Sequence, residues 1–260
     1  MKQPLAFIHP DAKIGKDVII EPFTTINKNV EIGEGTWISS NVTIMEGARI
    51  GKNCRIFPGA VISAIPQDLK FGGELSIACI GDHTTIRECV TINRGTSASG
   101  ETIVGDNCLL MAYSHVAHDC IIGNHCIIAN SVAIAGHVTI GDYAILGGLS
   151  AVHQFVKIGA HSMISGGTLI RKDIPPFVKA AKEPASYVGI NSIGLQRRGF
   201  EKDKISEIQN IYRHLFQKNQ NISQAVKSID KEFRNSKEKE KILSFIETSE
   251  RGIMKGYSSK

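Results

Sequence analysis

Isoleucine recurs along this chain at every sixth position. Ile8, Ile14, Ile20, Ile26, Ile32, Ile38, Ile44, Ile50, Ile56 and Ile62 form an unbroken series. The same phase meets Asp68 and Glu74, resumes at Ile80, Ile86 and Ile92, passes Ala98, and runs on from Val104 to Ile170. Of its 28 positions, 25 are Ile, Val or Leu, which no chance run in a β-sandwich produces. Two residues before each branched residue the side chain is usually small, as at Ala12, Val18, Thr24, Ser114 and Val132. Glycine often follows it, as at Gly15, Gly33, Gly51 and Gly141. A period of six is neither the 3.6 of a helix nor the bare two of a strand. It fits a short strand with residues i−2 and i pointing inward, then a corner where Gly or Asn accommodates positive φ. The pattern predicts a mainly β chain, a parallel β-helix of hexapeptides.

Two stretches break the phase. Residues 63–79 and 93–101 are rich in Gly, Pro, Ser and charge, and read as loops projecting from the solenoid. The repeat is expected to stop near Asp173-Ile174-Pro175-Pro176, because proline removes ladder donors. From about Glu201 apolar residues take helical spacing, at Ile205, Ile208, Ile211, Leu215, Ala225, Ile229, Ile242 and Phe245, with breaks at Asn221-Ile222-Ser223 and Asn235-Ser236. The run Lys237 to Lys241 reads as a solvated helix face. The organisation expected is a β-helix over 1–190 with its two loops, followed by a C-terminal α-helical domain over 191–260.

Composition narrows the classes. The chain has 260 residues, 42% hydrophobic and 21% charged, enough for a sizeable core and against wholesale disorder. No apolar run reaches membrane-spanning length, and Met1 to Phe7 lacks the apolar region of a signal peptide, so no integral membrane segment and a cytoplasmic location are expected. The six cysteines show neither zinc spacing nor a disulfide framework. Cys54, Cys108, Cys120 and Cys126 fall on the small inward position and read as core filler. Residues 1–189 carry 15 Lys/Arg against 16 Asp/Glu, whereas residues 190–260 carry 15 against 9. A basic C-terminal quarter suits an acidic partner. Nucleic acid is not expected, because Tyr212, Phe216 and Phe233 sit at core spacing rather than in an exposed stacking array.

A three-sided solenoid takes about 18 residues per turn, so His118, Gly136 and Gln154 should stack on successive turns about 4.8 Å apart. His137 and His153 adjoin that column, and His115 shares the turn of His118. Histidine titrates where a general base must. Asp119 adjoins His118 as an orienting carboxylate, and Gly136 offers a backbone N–H with no side chain in the way. No nucleophile accompanies them, which favours direct attack by an acceptor hydroxyl. Three histidines are also a zinc set, so a zinc-dependent hydratase is the rival chemistry.

Several segments resemble the UDP-N-acetylglucosamine O-acyltransferases, enzymes of the first step of lipid A synthesis. They are Met111 to Cys120, Ala135 to Val138, Ala151 to Phe155, Gly194 to Phe200, Ile65 to Phe71 and Ile86 to Thr96. The resemblance runs through nearly the whole chain. It implies a homotrimer of left-handed β-helices with the active site between subunits. It implies transfer of a 3-hydroxyacyl group from acyl carrier protein to the 3-hydroxyl of UDP-N-acetylglucosamine. The acyl group rides on the carrier's phosphopantetheine, with no other cofactor and no metal. It places the base on His118, its partner on Asp119 and the oxyanion donor on Gly136. Substrate binding falls on Asp68, Lys70, His115, His137, His153, Gln154, Asn191, Arg197 and Arg198. Gly166 falls on the position that limits acyl length, and a glycine leaves the groove open to a long chain. Ile193 stands where many relatives carry an acidic residue. A related transferase acting on an amino-sugar nucleotide is the nearest alternative.

Overall fold

The computed structural model describes residues 5–217 and 221–256. Met1–Pro4, the start of the stretch read above for a leader, lies outside them, as do residues 257–260. Strands mostly two residues long form three sheets of nine, eight and eleven strands among the described residues. Within the solenoid every pairing is parallel, and His115 faces Ala133, which faces Ala151, a register of one turn. The sheets are the three faces of a left-handed parallel β-helix. Its axis is filled by the branched series: Ile26, Ile38, Ile44, Ile56, Ile62, Ile86, Ile92, Ile128, Ile134 and Ile164 are wholly buried. Each contributes about 2 kcal/mol of apolar burial. Cys54, Cys108, Cys120 and Cys126 lie among them as free thiols.

The corners bear out the sequence expectation at Asn29, Asn41, Asn53, Gly35, Gly47 and Gly59, all of which take positive φ. Positive φ falls on the third residue after the branched one, for example Asp119 (58°), His137 (61°) and Phe155 (63°). The glycine directly after the Ile answers a different demand. A Cβ on Gly33 would stand 2.5 Å from the backbone of Gly51, one turn on, so only glycine lets the coils close at this point.

The two loops are shorter than the breaks in phase, because Val61–Ala64, Ile77–Ile80, Thr91–Asn93 and Glu101–Val104 are strands. Pairing Val61 with Thr91 and Thr91 with His115 spaces these turns by 30 and 24 residues. The insertions are thus multiples of six, which is why the phase survives them. Both loops leave the nine-stranded face and return on the eight-stranded face, so both project from the same edge.

The solenoid does not stop at Pro175-Pro176. Val178–Ala181 adds a further parallel strand beside Met163–Ile164. The residue after each branched position donates its N–H to the next coil, as Gly159 does to Ile174 at 2.7 Å. The segment that lies beyond the last coil pairs instead at Asp173, which donates to Gly252 O at 3.1 Å and accepts from the Met254 N–H at 2.9 Å. An antiparallel strand, Ser186–Ile190, then leads into four helices among the described residues: α1 (Ser192–Arg197), α2 (Lys202–Gln217), α3 (Ile222–Glu232) and α4 (Lys237–Glu247). Asn221 and Ser236 cap α3 and α4 at the breaks expected from sequence. Tyr212 of α2 donates to Pro176 O at 2.6 Å, and Ser249 donates to Asp173 at 2.6 Å, tying the helices to the last coil. No helix among the described residues is long and apolar enough to cross a membrane.

The charged run opening α4 is not wholly a solvated face. Lys239 is 1% exposed, and its Nζ donates to Asp230 O, Phe233 O and Asn235 Oδ1 at 2.7, 3.0 and 3.0 Å. The ammonium satisfies carbonyls at the end of α3. Lys239→Ala removes a charged donor from three acceptors and is expected to cost about 2 kcal/mol. Thermal denaturation checks this; an unchanged melting temperature contradicts it.

Candidate active site

The edge that bears both loops also carries, one turn further along, the segment from His115–Val116 to Ile121–Ile122. Register therefore assembles one column from five successive turns: the 65–76 loop, the 94–100 loop, His118-Asp119, Gly136-His137 and His153-Gln154. The positive φ at Asp119 swings its carboxylate under the preceding ring. His118 Nδ1 lies 2.7 Å from Asp119 Oδ2, and both residues are about 5% exposed. A neutral imidazole donating Nδ1–H to an ionised carboxylate presents Nε2 as a lone pair.

Asp119 is held from below. Thr96 donates its N–H to Oδ1 at 3.0 Å and its hydroxyl to Oδ2 at 2.7 Å. Ser99 donates its hydroxyl and, at 3.3 Å, its N–H to Oδ1. Burial pushes the Asp119 carboxyl up, but the hydrogen bonds from Ser99, Thr96 and His118 outweigh it and hold the group well below the usual carboxylate range. The same loop reaches outward, where Ser97 N–H donates to Glu74 Oε1 at 2.9 Å.

Above the pair, His137 packs edge-on to the His118 ring at 5.1 Å between centroids and stacks on Phe155 at 4.5 Å. Its Nε2 is 3.8 Å from Asp119 Oδ2. Gly136 lies flat against His118: a Cβ there would stand 2.6 Å from Cε1 and 2.8 Å from Nε2. His115 Nδ1 is 2.7 Å from Thr91 Oγ1, and burial, with His118 nearby, lowers the His115 pKa. His153 and Gln154 are exposed on the next turn.

His118, Asp119 and His137 place potential ligand atoms within 4.8 Å of one another, a spacing a metal could use. The donor chemistry argues otherwise. Both Asp119 oxygens already accept hydrogen bonds, from Thr96, Ser99 and His118, so a metal ligand here would have to displace built-in donors.

Of the remaining expected residues, Asp68 and Lys70 are brought to this edge by the first loop, whereas Asn191, Arg197, Arg198 and Gly166 are not. Asp68 and Lys70 lie on the 65–76 loop, where Asp68 Oδ1 accepts the Lys70 N–H at 3.0 Å. Arg198 lies on the edge between the eight- and eleven-stranded faces. It donates to Tyr143 O at 3.0 Å with its guanidinium 5.2 Å from the Tyr143 ring centroid. Arg197 beside it is exposed. Asn191 is 2% exposed and serves as the cap of α1, its amide bonded to His161 O and Gly194 N at 2.9 and 3.3 Å. Gly166 lies on the third edge, where its Cβ would meet Gly148 O at 3.0 Å.

Sequence reasoning missed Thr96 and Ser99, although the polar break at 93–101 was the signal. It also missed the ring column His125, Tyr143, His161 and Phe177, stacked at 4.6, 4.9 and 5.6 Å between centroids. Burial and the charges of Arg198 and Lys241 lower the His161 pKa to about 4.

Comparison with known proteins follows this geometry. Residues 173–254 match a family described as UDP N-acetylglucosamine O-acyltransferase, domain 2. Residues 101–136 match the bacterial transferase hexapeptide family, and residues 2–97 match the GMPPB C-terminal domain. An acyl-[acyl-carrier-protein]–UDP-N-acetylglucosamine O-acyltransferase of Chlorobaculum parvum is 57% identical over 250 residues, covering 96% of this chain and 95% of that protein. The enzyme of the same name from Sulfurihydrogenibium is 55% identical over 251 residues, covering 96% and 93%. The crystal structure of a UDP-N-acetylglucosamine acyltransferase from Bacteroides fragilis superposes with a TM-score of 0.97 at 53% identity, covering 98% of this chain and all of that one.

The contact between Gly136 and His118 has a direct consequence. Gly136→Ala leaves the backbone conformation accessible but drives a methyl into the imidazole. Turnover is expected to fall about a hundredfold with little change in thermal stability. Retained turnover in steady-state kinetics contradicts the placement.

Proposed function

The chain belongs to the acyl-[acyl-carrier-protein]–UDP-N-acetylglucosamine O-acyltransferases, the acyltransferases that open lipid A synthesis, and we propose how its own residues carry that reaction. His118 Nε2 takes the proton from the sugar 3-hydroxyl as that oxygen attacks the thioester carbonyl of a 3-hydroxyacyl group on acyl carrier protein. Asp119 stabilises the resulting imidazolium. The Gly136 N–H meets the oxyanion of the tetrahedral intermediate. On collapse the carbon–sulfur bond breaks, the phosphopantetheine thiolate leaves, and the imidazolium returns the proton to it. The observation that carries this reading is the 2.7 Å His118–Asp119 bond with Gly136 pressed against the ring. No metal enters this sequence.

The distribution of the other residues supports a homotrimer. His118, Arg198 and Gly166 occupy three different edges of one prism, so only neighbouring copies can bring a nucleotide, a base and an acyl groove together. His137, His153 and Gln154 bind substrate beside His118, with His115 at its flank. Asp68 and Lys70 reach the nucleotide sugar from the projecting loop. Arg197 and Arg198 from an adjacent copy take the diphosphate, for which a guanidinium fork is suited. Asn191 contributes through the position it fixes for α1. Gly166 leaves the acyl groove open to a long chain. All six cysteines are free, consistent with a reducing cytoplasm.

Incubation with UDP-N-acetylglucosamine and 3-hydroxyacyl carrier proteins of graded chain length is expected to give an O-acylated nucleotide sugar by mass spectrometry. Product from only the 3-amino sugar nucleotide overturns the acceptor assignment. His118→Ala is expected to lower kcat about 1,000-fold or more while the assembly survives; unaltered kcat removes His118 as base. Gly166→Met is expected to shift the product profile toward shorter chains, and an unchanged profile refutes the open-groove reading.

A further inference from the structure

The carboxylate of Asp119 is the point where two turns of the solenoid meet. From its own turn it accepts His118 Nδ1–H, and from the turn below it accepts everything else. The 94–100 loop is closed on itself by Gly100 N–H to Thr96 O at 2.7 Å and anchored by Arg94 N–H to Ala64 O and Gly95 N–H to Ile77 O. This closure aims the Thr96 and Ser99 donors upward. Oδ2, the oxygen facing His118, is shared with the Thr96 hydroxyl, and Oδ1 is taken by Thr96 N–H and by both donors of Ser99. Thr96 is buried, whereas Ser99 is exposed. A side chain with no function of its own needs no such arrangement on a loop that interrupts the repeat.

We infer that Thr96 and Ser99 are positioning residues for the acyl transfer: they hold the Asp119 carboxylate in place and disperse its charge, and so govern how it acts on the His118 ring. The inference rests on the reading of His118 as the base. Asp119 attracts the imidazolium form of His118. Hydrogen-bond donors on the carboxylate weaken that attraction. The base is active only when neutral, so a stronger attraction extends its protonated, idle form toward higher pH. The other groups facing the pair are His137, with Nε2 3.8 Å from Asp119 Oδ2, His115 beside His118, and Glu74, which acts on Asp119 from the outer loop. None of them donates a hydrogen bond to the carboxylate among the described residues.

The sign of the effect is therefore fixed. Without the Thr96 and Ser99 hydroxyls, Asp119 remains ionised at neutral pH but carries more concentrated charge. His118 then holds its proton to higher pH. In the double variant Thr96→Val/Ser99→Ala, the acid limb of kcat/KM is expected to move up by about 1 pH unit. At pH 6 kcat/KM falls about tenfold, while at pH 8.5 it stays within about threefold of wild type. Ser99→Ala alone, at an exposed position, gives a smaller shift in the same direction without threatening folding. Thr96→Ser, which keeps the hydroxyl, restores the wild-type limb. A uniform fall at all pH values, or a limb that does not move in either Ser99→Ala or the double variant, overturns the inference. His118→Ala run in parallel separates the two claims. An inactive His118→Ala with an unmoved limb in the loop variants defeats only the roles of Thr96 and Ser99. An active His118→Ala defeats the base and this inference together.

Discussion

Everything in this molecule depends on the vertical stacking of coils at β-sheet spacing. Each turn offers its backbone N–H and C=O groups to the next, and the branched side chains fill the axis between. The spacing of about 4.8 Å is set by the ladder hydrogen bond and not by the side chains at the corner. Residues that are one turn apart in sequence are therefore brought into contact whatever their chemistry. That constraint presses Gly136 against the His118 ring and His137 against Phe155. It also explains why the glycines after the isoleucines tolerate no Cβ: the coils approach too closely there.

Because each face needs only two residues per turn, insertions are tolerated at corners so long as the face resumes in register. Among the described residues this freedom is used on one edge only. Two excursions leave that edge on successive turns, and the second supplies the donors that hold Asp119. Charge is handled locally in the same way. Asp119 stays ionised in a nearly closed setting because Ser99, Thr96 and His118 compensate for its burial. On the neighbouring edge His161 meets burial and cationic neighbours, and its pKa drops to about 4. Two histidine-bearing corners of one solenoid thus have opposite electrostatics: one is built around a carboxylate, the other around a guanidinium.

The branched series made the solenoid legible, since a branched inward residue at every sixth position, with a small one two before it, fits short strands joined by corners. The column of His118, Gly136 and Gln154 was legible for the same reason, because 18-residue spacing becomes contact once the turn length is known. What the spacing hid is what breaks the period. Thr96 and Ser99 lie in a stretch with no phase, so their distance to Asp119 could not be counted along the chain. The strand after Pro175-Pro176 was hidden because prolines forbid donation to a following coil, not pairing with a preceding one. Lys239 looked like one member of a charged run. Its burial comes from the carbonyls at the end of α3, a tertiary demand that local charge pattern does not encode. Asn191 followed a family position, and here its side chain is engaged as a helix cap.

The most direct measurement is a crystal structure of the protein with its O-acylated nucleotide sugar bound. The sugar O3 is expected within about 3 Å of His118 Nε2. The acyl carbonyl oxygen is expected within about 3 Å of the Gly136 N–H, and the diphosphate against Arg197 and Arg198 of a neighbouring copy. A sugar O3 held beyond the reach of His118, or a nucleotide bound wholly within one chain, contradicts His118 as the base of a site shared between copies.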